Sequence, residues 1–321
     1  MKKLLVISAV LAAIALPAHA QEKVSVRLDF SPWGVQAAMH LAKNRGWFRE
    51  AGLDVDIQDG RGSGNTIQLV NAGQVDVGQV QVGLVGSARA QGARIRSIWN
   101  FQRRTDLCVL VDRNSPINRI ADLRGKKVVV FAASPWAPFI DTFLRAGGLV
   151  RDDLPVEVVD PAALWGTYVA KRADGLMSTV GSALPVAEGP RPSKCILASD
   201  GGITFPSYGL VAREETIANR AAVLRRLIQV QQRAWEHLRT KPEDGAQAII
   251  AERPDARLDA RVLASQITLT IEYFDTPATQ GRPIGWLATA DWDAALKSME
   301  AAGVVRAGWN AADYFTNALV D

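Results

Sequence analysis

The chain has 321 residues, with 37 Lys and Arg against 33 Asp and Glu, for a formal charge of +4 at neutral pH. Hydrophobic residues make up 48%, which suits a packed core and excludes a disordered chain. So small a net charge, with no basic block, leaves no electrostatic footprint for nucleic acid, and no such partner is expected.

The opening, MKKLLVISAVLAAIALPAHA, reads as a secretory leader. Lys2 and Lys3 precede an apolar run, and Ala18-His19-Ala20 matches the small-residue cleavage pattern, so the cut is expected after Ala20. The apolar run is too short to span a bilayer. No Cys stands near the cut to take a lipid. Residues 21–321 are long enough for two domains.

Strand and helix patterns then alternate. VSVRLDF (24–30) is a strand, and Gln36–Asn44 a helix closed by Gly46. LDVDI (53–57) alternates like a strand, GRGSG turns the chain, and NTIQLVNAG is a helix ended by Gly73. VDVGQV, LVGSARAQG, IRSIWNF and LCVLVD continue as strand, helix, strand and strand. ADLRGKKVVVF restarts the series, followed by the helix PFIDTFLRAGG, the strand VEVVD, the helix AALWGTYVAKR and the strands DGLMST, KCILAS and SYGLVARE. This is the signature of βα units around largely parallel sheets. From Glu214 onward the pattern is helical, with Leu224, Leu227, Ile228, Trp235 and Leu238 near one face.

The fold class is therefore α/β, in two units with a helical tail. If LCVLVD (107–112) and YGLVARE (208–214) are crossing strands, residues 113–207 form an inserted domain, and 21–112 with 208–321 form the other. A cleft between two such units is a natural ligand site. Cys108 and Cys195 both lie in apolar strand-like runs, where either a buried thiol or one bridge is compatible with an oxidising compartment.

Two strand ends carry the same tripeptide, Ser-Pro-Trp, at 31–33 and 134–136. Ligands in α/β proteins gather at such ends. Phe30 and Trp33 are expected to form one wall of the cleft and Trp136, beside Ser134, the opposite wall. The turn at Gly60, Gly62 and Gly64 misses a dinucleotide fingerprint because Asn65 stands at its last position. It opens a helix, so Ser63, Asn65 and Thr66 are candidate donors to a polar ligand edge. Gln79 and Gln81 flank a strand end, and Trp165 is an amphipathic candidate for the cleft. Arg103 and Arg104 would serve an anionic ligand. Each of these residues also has an ordinary reading as core, cap or solvated surface.

Catalysis has little support. Beyond the leader only His40 and His237 remain, far apart in sequence. No Cys/His cluster has zinc spacing, and Ser63 lacks the nucleophile-elbow glycines. No metal and no cofactor is expected.

The ordered set LDFSPW, HLAKNRGWFREAGLDVDI and GSGNTIQLVNAGQVDVGQ resembles the opening of periplasmic solute-binding proteins of ABC importers. It is most similar to the branch of thiamine-pyrimidine-precursor and riboflavin binders and of sulfonate, taurine and nitrate binders. FPSYGLVARE, GRPIGWLATADWDAAL and DYFTNALV extend the resemblance over the whole mature chain. It implies a periplasmic-binding-protein-like, type II fold with an interdomain cleft. It also implies a small-molecule ligand, hinge closure, a permease partner in the inner membrane, periplasmic location and a monomer without enzymatic activity. Where pyrimidine binders carry a Trp followed by TPNTNH, this chain has Phe30 and SPWGVQ. Gln36 thus takes the place of an imidazole, which keeps a planar ligand while departing from the usual pyrimidine precursor. Two rivals stay open: an aliphatic sulfonate or similar anion in the same fold, and a secreted enzyme.

Overall fold

A computed structural model describes residues 21–320; the expected leader and its cut lie outside the described residues. Strand β1 (Glu22–Arg27) leads through a 3₁₀ turn (Gly34–Gln36) into α1 (Ala37–Asn44) and α2 (Trp47–Glu50). Then come β2 (Leu53–Gln58), α3 (Ser63–Asn71), β3 (Val77–Gln81), α4 (Leu84–Ala90) and β4 (Ile95–Trp99). The second series runs β5 (Leu107–Asp112), β6 (Val128–Val130), α5 (Ile140–Ala146), β7 (Val156–Val158), α6 (Pro161–Val169), β8 (Gly175–Thr179), α7 (Val180–Ala187) and β9 (Ser193–Leu197). After β10 (Tyr208–Arg213) follow α8 (Glu214–Asn219), α9 (Ala221–Leu238), α10 (Pro242–Glu252), α11 (Ala260–Glu272) and α12 (Thr289–Ala301).

Two sheets organise these elements, ordered β2-β1-β3-β10-β4 and β7-β6-β8-β5-β9. In the first, β1 runs parallel to β2 and β3, while β10 is antiparallel to β3 and β4. In the second, β6 runs parallel to β7 and β8, while β5 is antiparallel to β8 and β9. Each sheet therefore takes one antiparallel strand from beside a crossover. The first crossover spans 100–106 and the second 198–207. The sequence reading had put 107–112 with the first unit. Its pairing with β8 and β9 puts it in the second sheet instead, because all of Leu107–Val111 is buried there.

Local chemistry accounts for the elements. On β2, Leu53, Val55 and Ile57 face inward while Asp54 and Asp56 face solvent, the period of a half-buried strand. The interior strands β3 and β5 are buried almost throughout; β5 reads as a continuous apolar run, while β3 carries the buried Gln79 and Gln81. Helix α9 buries Leu224, Leu227, Ile228, Trp235 and Leu238 as the helical period predicts. Helix α6 starts at Asp160, whose carboxylate accepts from Ala162 N, with Pro161 at its first position. Helix α7 was not foreseen. Its sequence VGSALPVA carries an internal Pro185 and few strong helix formers, and it is started by the Thr179 hydroxyl accepting from Ser182 N. Cys108 on β5 and Cys195 on β9 form a disulfide, with Cα atoms 5.5 Å apart. The open question between thiol and bridge is thus closed in favour of the bridge.

The two lobes touch on both flanks of the cleft. On one side the rings of Phe30 and Phe131 lie 5.9 Å apart. On the other, the buried Gln266 of α11 accepts from Gly34 N (3.0 Å) and donates to Ser182 O (2.9 Å), tying together one residue from each lobe.

Candidate functional site

Between the lobes lies a cleft whose open volume, mouth and adjoining solvent included, is about 550 Å³. Its first-lobe wall grows out of the end of β1. The Thr66 hydroxyl donates to Leu28 O at 2.7 Å, and Gly60 N donates to Phe30 O at 3.2 Å. The glycine turn and the start of α3 are thereby bolted to the strand end, which presents Asp29, Phe30 and Trp33 to the cleft. Gly62 permits the close approach of the other lobe. Its φ is +111°, and a Cβ there would stand 2.7 Å from both the carbonyl oxygen and the Cβ of Ala133.

The second-lobe wall is Phe131, Ser134 and Pro135 at the end of β6, with Leu164 and Trp165 of α6. Ser178, Thr179 and Ser182, at the junction of β8 and α7, add hydroxyls. Tyr208, at the start of β10, packs its ring edgewise on Trp33, with centroids 5.6 Å apart.

Asp29 is the only charged residue in this lining. Burial pushes its carboxyl up from 3.8 to about 6, against hydrogen bonds that favour the charged form. Those come from the Tyr208 hydroxyl (2.9 Å) and from Gln36 Nε2 (2.6 Å). The Tyr208 hydroxyl is itself pushed well above the usual phenol range, by burial first and then by Asp29 and Asp106. Asp106 lies behind, also raised by burial, accepting from Ser207 Oγ (2.8 Å) and Gln81 Nε2 (3.1 Å). A pocket so lined can stack a planar ring and hydrogen-bond a donor-bearing edge. It has no cation to neutralise an anion.

Of the residues singled out from the sequence, the structure brings Phe30, Trp33, Ser63, Ser134 and Trp165 into one lining. Trp136 is corrected: it is fully buried in the second-lobe core, edge-on to Phe143 at 5.0 Å, with Nε1 donating to Ser178 O. Phe131, from the same strand end, occupies the wall expected of it. Gln36 stands behind the wall, accepting from Trp33 N and donating to Asp29. Thr66 is engaged with Leu28, and Ser63 Oγ accepts from Gln81 N at 3.1 Å while its residue still borders the cleft. Asn65 lies outside the lining, on the half-buried first turn of α3. Gln79 donates to Val35 O and Gln81 to Asp106, both interior contacts. Arg103 is buried against Asp275, and Arg104 sits over the Tyr273 ring, so neither reaches the cleft.

Sequence reasoning missed Asp29, Phe131 and Tyr208. The signal for Asp29 was a carboxylate in the apolar strand end LDF, since such a group needs dedicated partners. Phe131 follows β6 directly and Phe30 stands three residues past β1, each just ahead of a Ser-Pro-Trp.

Residues 34–245 match the family described as NMT1/THI5 like. The formylaminopyrimidine-binding protein of Halalkalibacterium halodurans is 23% identical over 289 residues, covering 88% of this chain and 86% of that protein. Among solved structures, the periplasmic aliphatic sulphonate binding protein SsuA from Escherichia coli aligns with a TM-score of 0.65 at 18% identity, over 88% of this chain and 86% of that one. The periplasmic nitrate-binding protein NrtA from Synechocystis PCC 6803 aligns with a TM-score of 0.67 at 13% identity, over 94% and 87%. At these identities the two alignments establish the periplasmic-binding-protein fold.

Proposed function

The chain belongs to the NMT1/THI5-like family, and on that premise we propose that it is the solute-capturing component of an ABC-type importer. Its ligand is a planar nitrogen heterocycle, neutral or cationic, of the aminopyrimidine type. The observation that carries this reading is the lining itself: the rings of Phe30, Trp33, Phe131, Trp165 and Tyr208 around one buried carboxyl, Asp29. Aromatic faces stack a flat ring. Above about pH 6 the Asp29 carboxylate is charged and can accept a further hydrogen bond beside those from Tyr208 and Gln36, which a ring amino group or protonated ring nitrogen would supply.

The name of the Halalkalibacterium relative supports a pyrimidine, and those of the two structural neighbours support an oxyanion. The lining favours the former, because an anion beside Asp29 would meet repulsion with no Lys or Arg among the lining residues to offset it. The two crossovers would act as the hinge, and closure on the ligand would form the surface read by a permease. No bond is made or broken in this cycle. Export to the periplasm rests on the leader read from the sequence.

The test is a thermal-shift screen of residues 21–321 against aminopyrimidines, thiamine and its precursors, flavins, alkylsulfonates and nitrate, followed by mass analysis of the recovered compound. A ligand at a hundred times its Kd should add about 2.7 kcal/mol of stability. The expected result is a shift with heterocycles, lost in Trp33→Ala, and recovery of unaltered compound. A shift with sulfonates or nitrate alone overturns the ligand class, and recovery of a product overturns the binding-only reading.

A further inference from the structure

The cleft does not end at its rings. Phe30, Trp33, Trp165 and Ser182 also line an outer pocket with an open volume of about 830 Å³, solvent included, so the two spaces are neighbours that share these side chains. The outer pocket is bordered on one side by the segment that leads into α11. Its walls are apolar at Pro32, Val186, Leu258 and Val262, and it holds two charged side chains, Arg257 and Asp259.

These two differ in how they are engaged. Asp259 caps α11, its carboxylate accepting from Arg261 N (2.8 Å) and Val262 N (3.3 Å). Arg253 pairs with Asp59 at 2.6 Å, and Arg261 lies 3.7 Å from Asp259. Arg257 makes no ion pair among the described residues. Its backbone is also left-handed (φ +48°, ψ +42°), one of two such non-glycine residues among those described. A side chain other than glycine, Asn or Asp is uncommon there, and such outliers concentrate at ligand sites.

We infer that the outer pocket is a second subsite of the same cleft, in which Arg257 receives a phosphate or carboxylate carried on a chain from the ring held inside. This rests on the heterocycle reading above and narrows it to ligands with a cation-seeking tail. The charges set the direction. An anionic tail is repelled by Asp29 in the inner cleft and attracted by Arg257 at the mouth, where the carboxylate of Asp259 is already engaged by the first amides of α11 and by Arg261. The apolar wall between them suits a methylene or aryl linker, and the guanidinium fork matches either oxyanion in two-point contact.

The probes are thiamine with its monophosphate and thiamine acetic acid, pyridoxine with its 5′-phosphate, and riboflavin with its 5′-phosphate. Each is titrated calorimetrically against the full mature chain, Arg257→Gln and Arg261→Gln, at low and high salt. In at least one set, the anionic member should bind tenfold or more tightly than the bare one at low salt. Arg257→Gln should erase that preference and Arg261→Gln retain it. The thiamine set separates phosphate from carboxylate. Equal affinities within every set that binds, or a preference that survives Arg257→Gln, overturn the subsite while leaving the heterocycle reading intact. Binding by none of the probes overturns both.

Discussion

Replacing Asp29 by Asn separates what that side chain costs the fold from what it gives the site. Burial raises the carboxyl from 3.8 to about 6. With its folded value above its unfolded one, the contribution to stability is full below 3.8 and is lost as pH rises through about 6. Integrating between pH 4.5 and 7.5 gives a loss of roughly 2 kcal/mol in the wild type from this group alone. Asn does not titrate, so Asp29→Asn lacks this loss. The substitution also disturbs the hydrogen bonds from Gln36 and Tyr208, at a pH-independent cost of about 1 kcal/mol. The assay is urea unfolding of ligand-free protein at both pH values. Other carboxyls, Asp106 among them, titrate alike in both proteins and cancel. The variant should gain roughly 2 kcal/mol on the wild type between pH 4.5 and 7.5. At pH 7.5 it should also bind an aminopyrimidine about ten- to a hundredfold more weakly, as expected for a lost charge-assisted hydrogen bond. Parallel stability curves would refute the reasoning, since Asp29 would then be as well solvated folded as unfolded and its carboxyl would not be raised by burial.

Trp33→Ala should weaken a heterocycle by about tenfold or more, the usual loss on removing one stacking ring, as read by fluorescence or calorimetry. Trp136→Ala should do the opposite: a loss of about 3–5 kcal/mol in stability from the core cavity, with affinity per folded molecule retained. A large affinity loss there would put Trp136 back on the wall. Gly62→Ala sets a Cβ 2.7 Å from the Ala133 carbonyl oxygen at a φ of +111°, so it should hold the lobes apart. Small-angle scattering of the ligand-saturated variant should then give a larger radius of gyration than the wild type, and an unchanged radius would contradict the closed contact. Cys108→Ser with Cys195→Ser opens a loop with a sequence separation of 87 residues, worth about 4–5 kcal/mol on chain-entropy grounds. Unfolding curves of oxidised and doubly substituted protein check this, and coincident curves would mean the bridge does not form in solution.

The alternation of βα units was legible because hydrophobic period and glycine stops are local. So was the amphipathic face of α9. What escaped was set by contacts distant in sequence. Strand β5 read as a boundary because its apolar run says only that it is buried, not in which sheet. Helix α7 was hidden by Pro185 and is held by its cap and by α11 across the cleft. The two Ser-Pro-Trp repeats look alike as text, yet Trp33 borders the cleft and Trp136 turns into the core, where Phe143 and the Ser178 carbonyl receive it. The donors expected at the glycine turn exist, but Thr66 is used to hold β1. The carboxylate that sets the charge of the site stood one residue before the rings and was read as part of a strand.

The exchange of strands between the sheets has a consequence for how the chain is made. Every strand of the second sheet lies between residues 107 and 197, so that lobe and its disulfide can be completed as soon as this stretch has emerged. The first sheet cannot, because β10 sits between β3 and β4 and is delivered last. The half synthesised first is therefore the half finished last. Until residue 213 arrives, β3 and β4 each lack the strand that pairs with them both, and it is this waiting N-terminal portion, not the later-made lobe, that most needs protection from aggregation and proteolysis while the chain is completed.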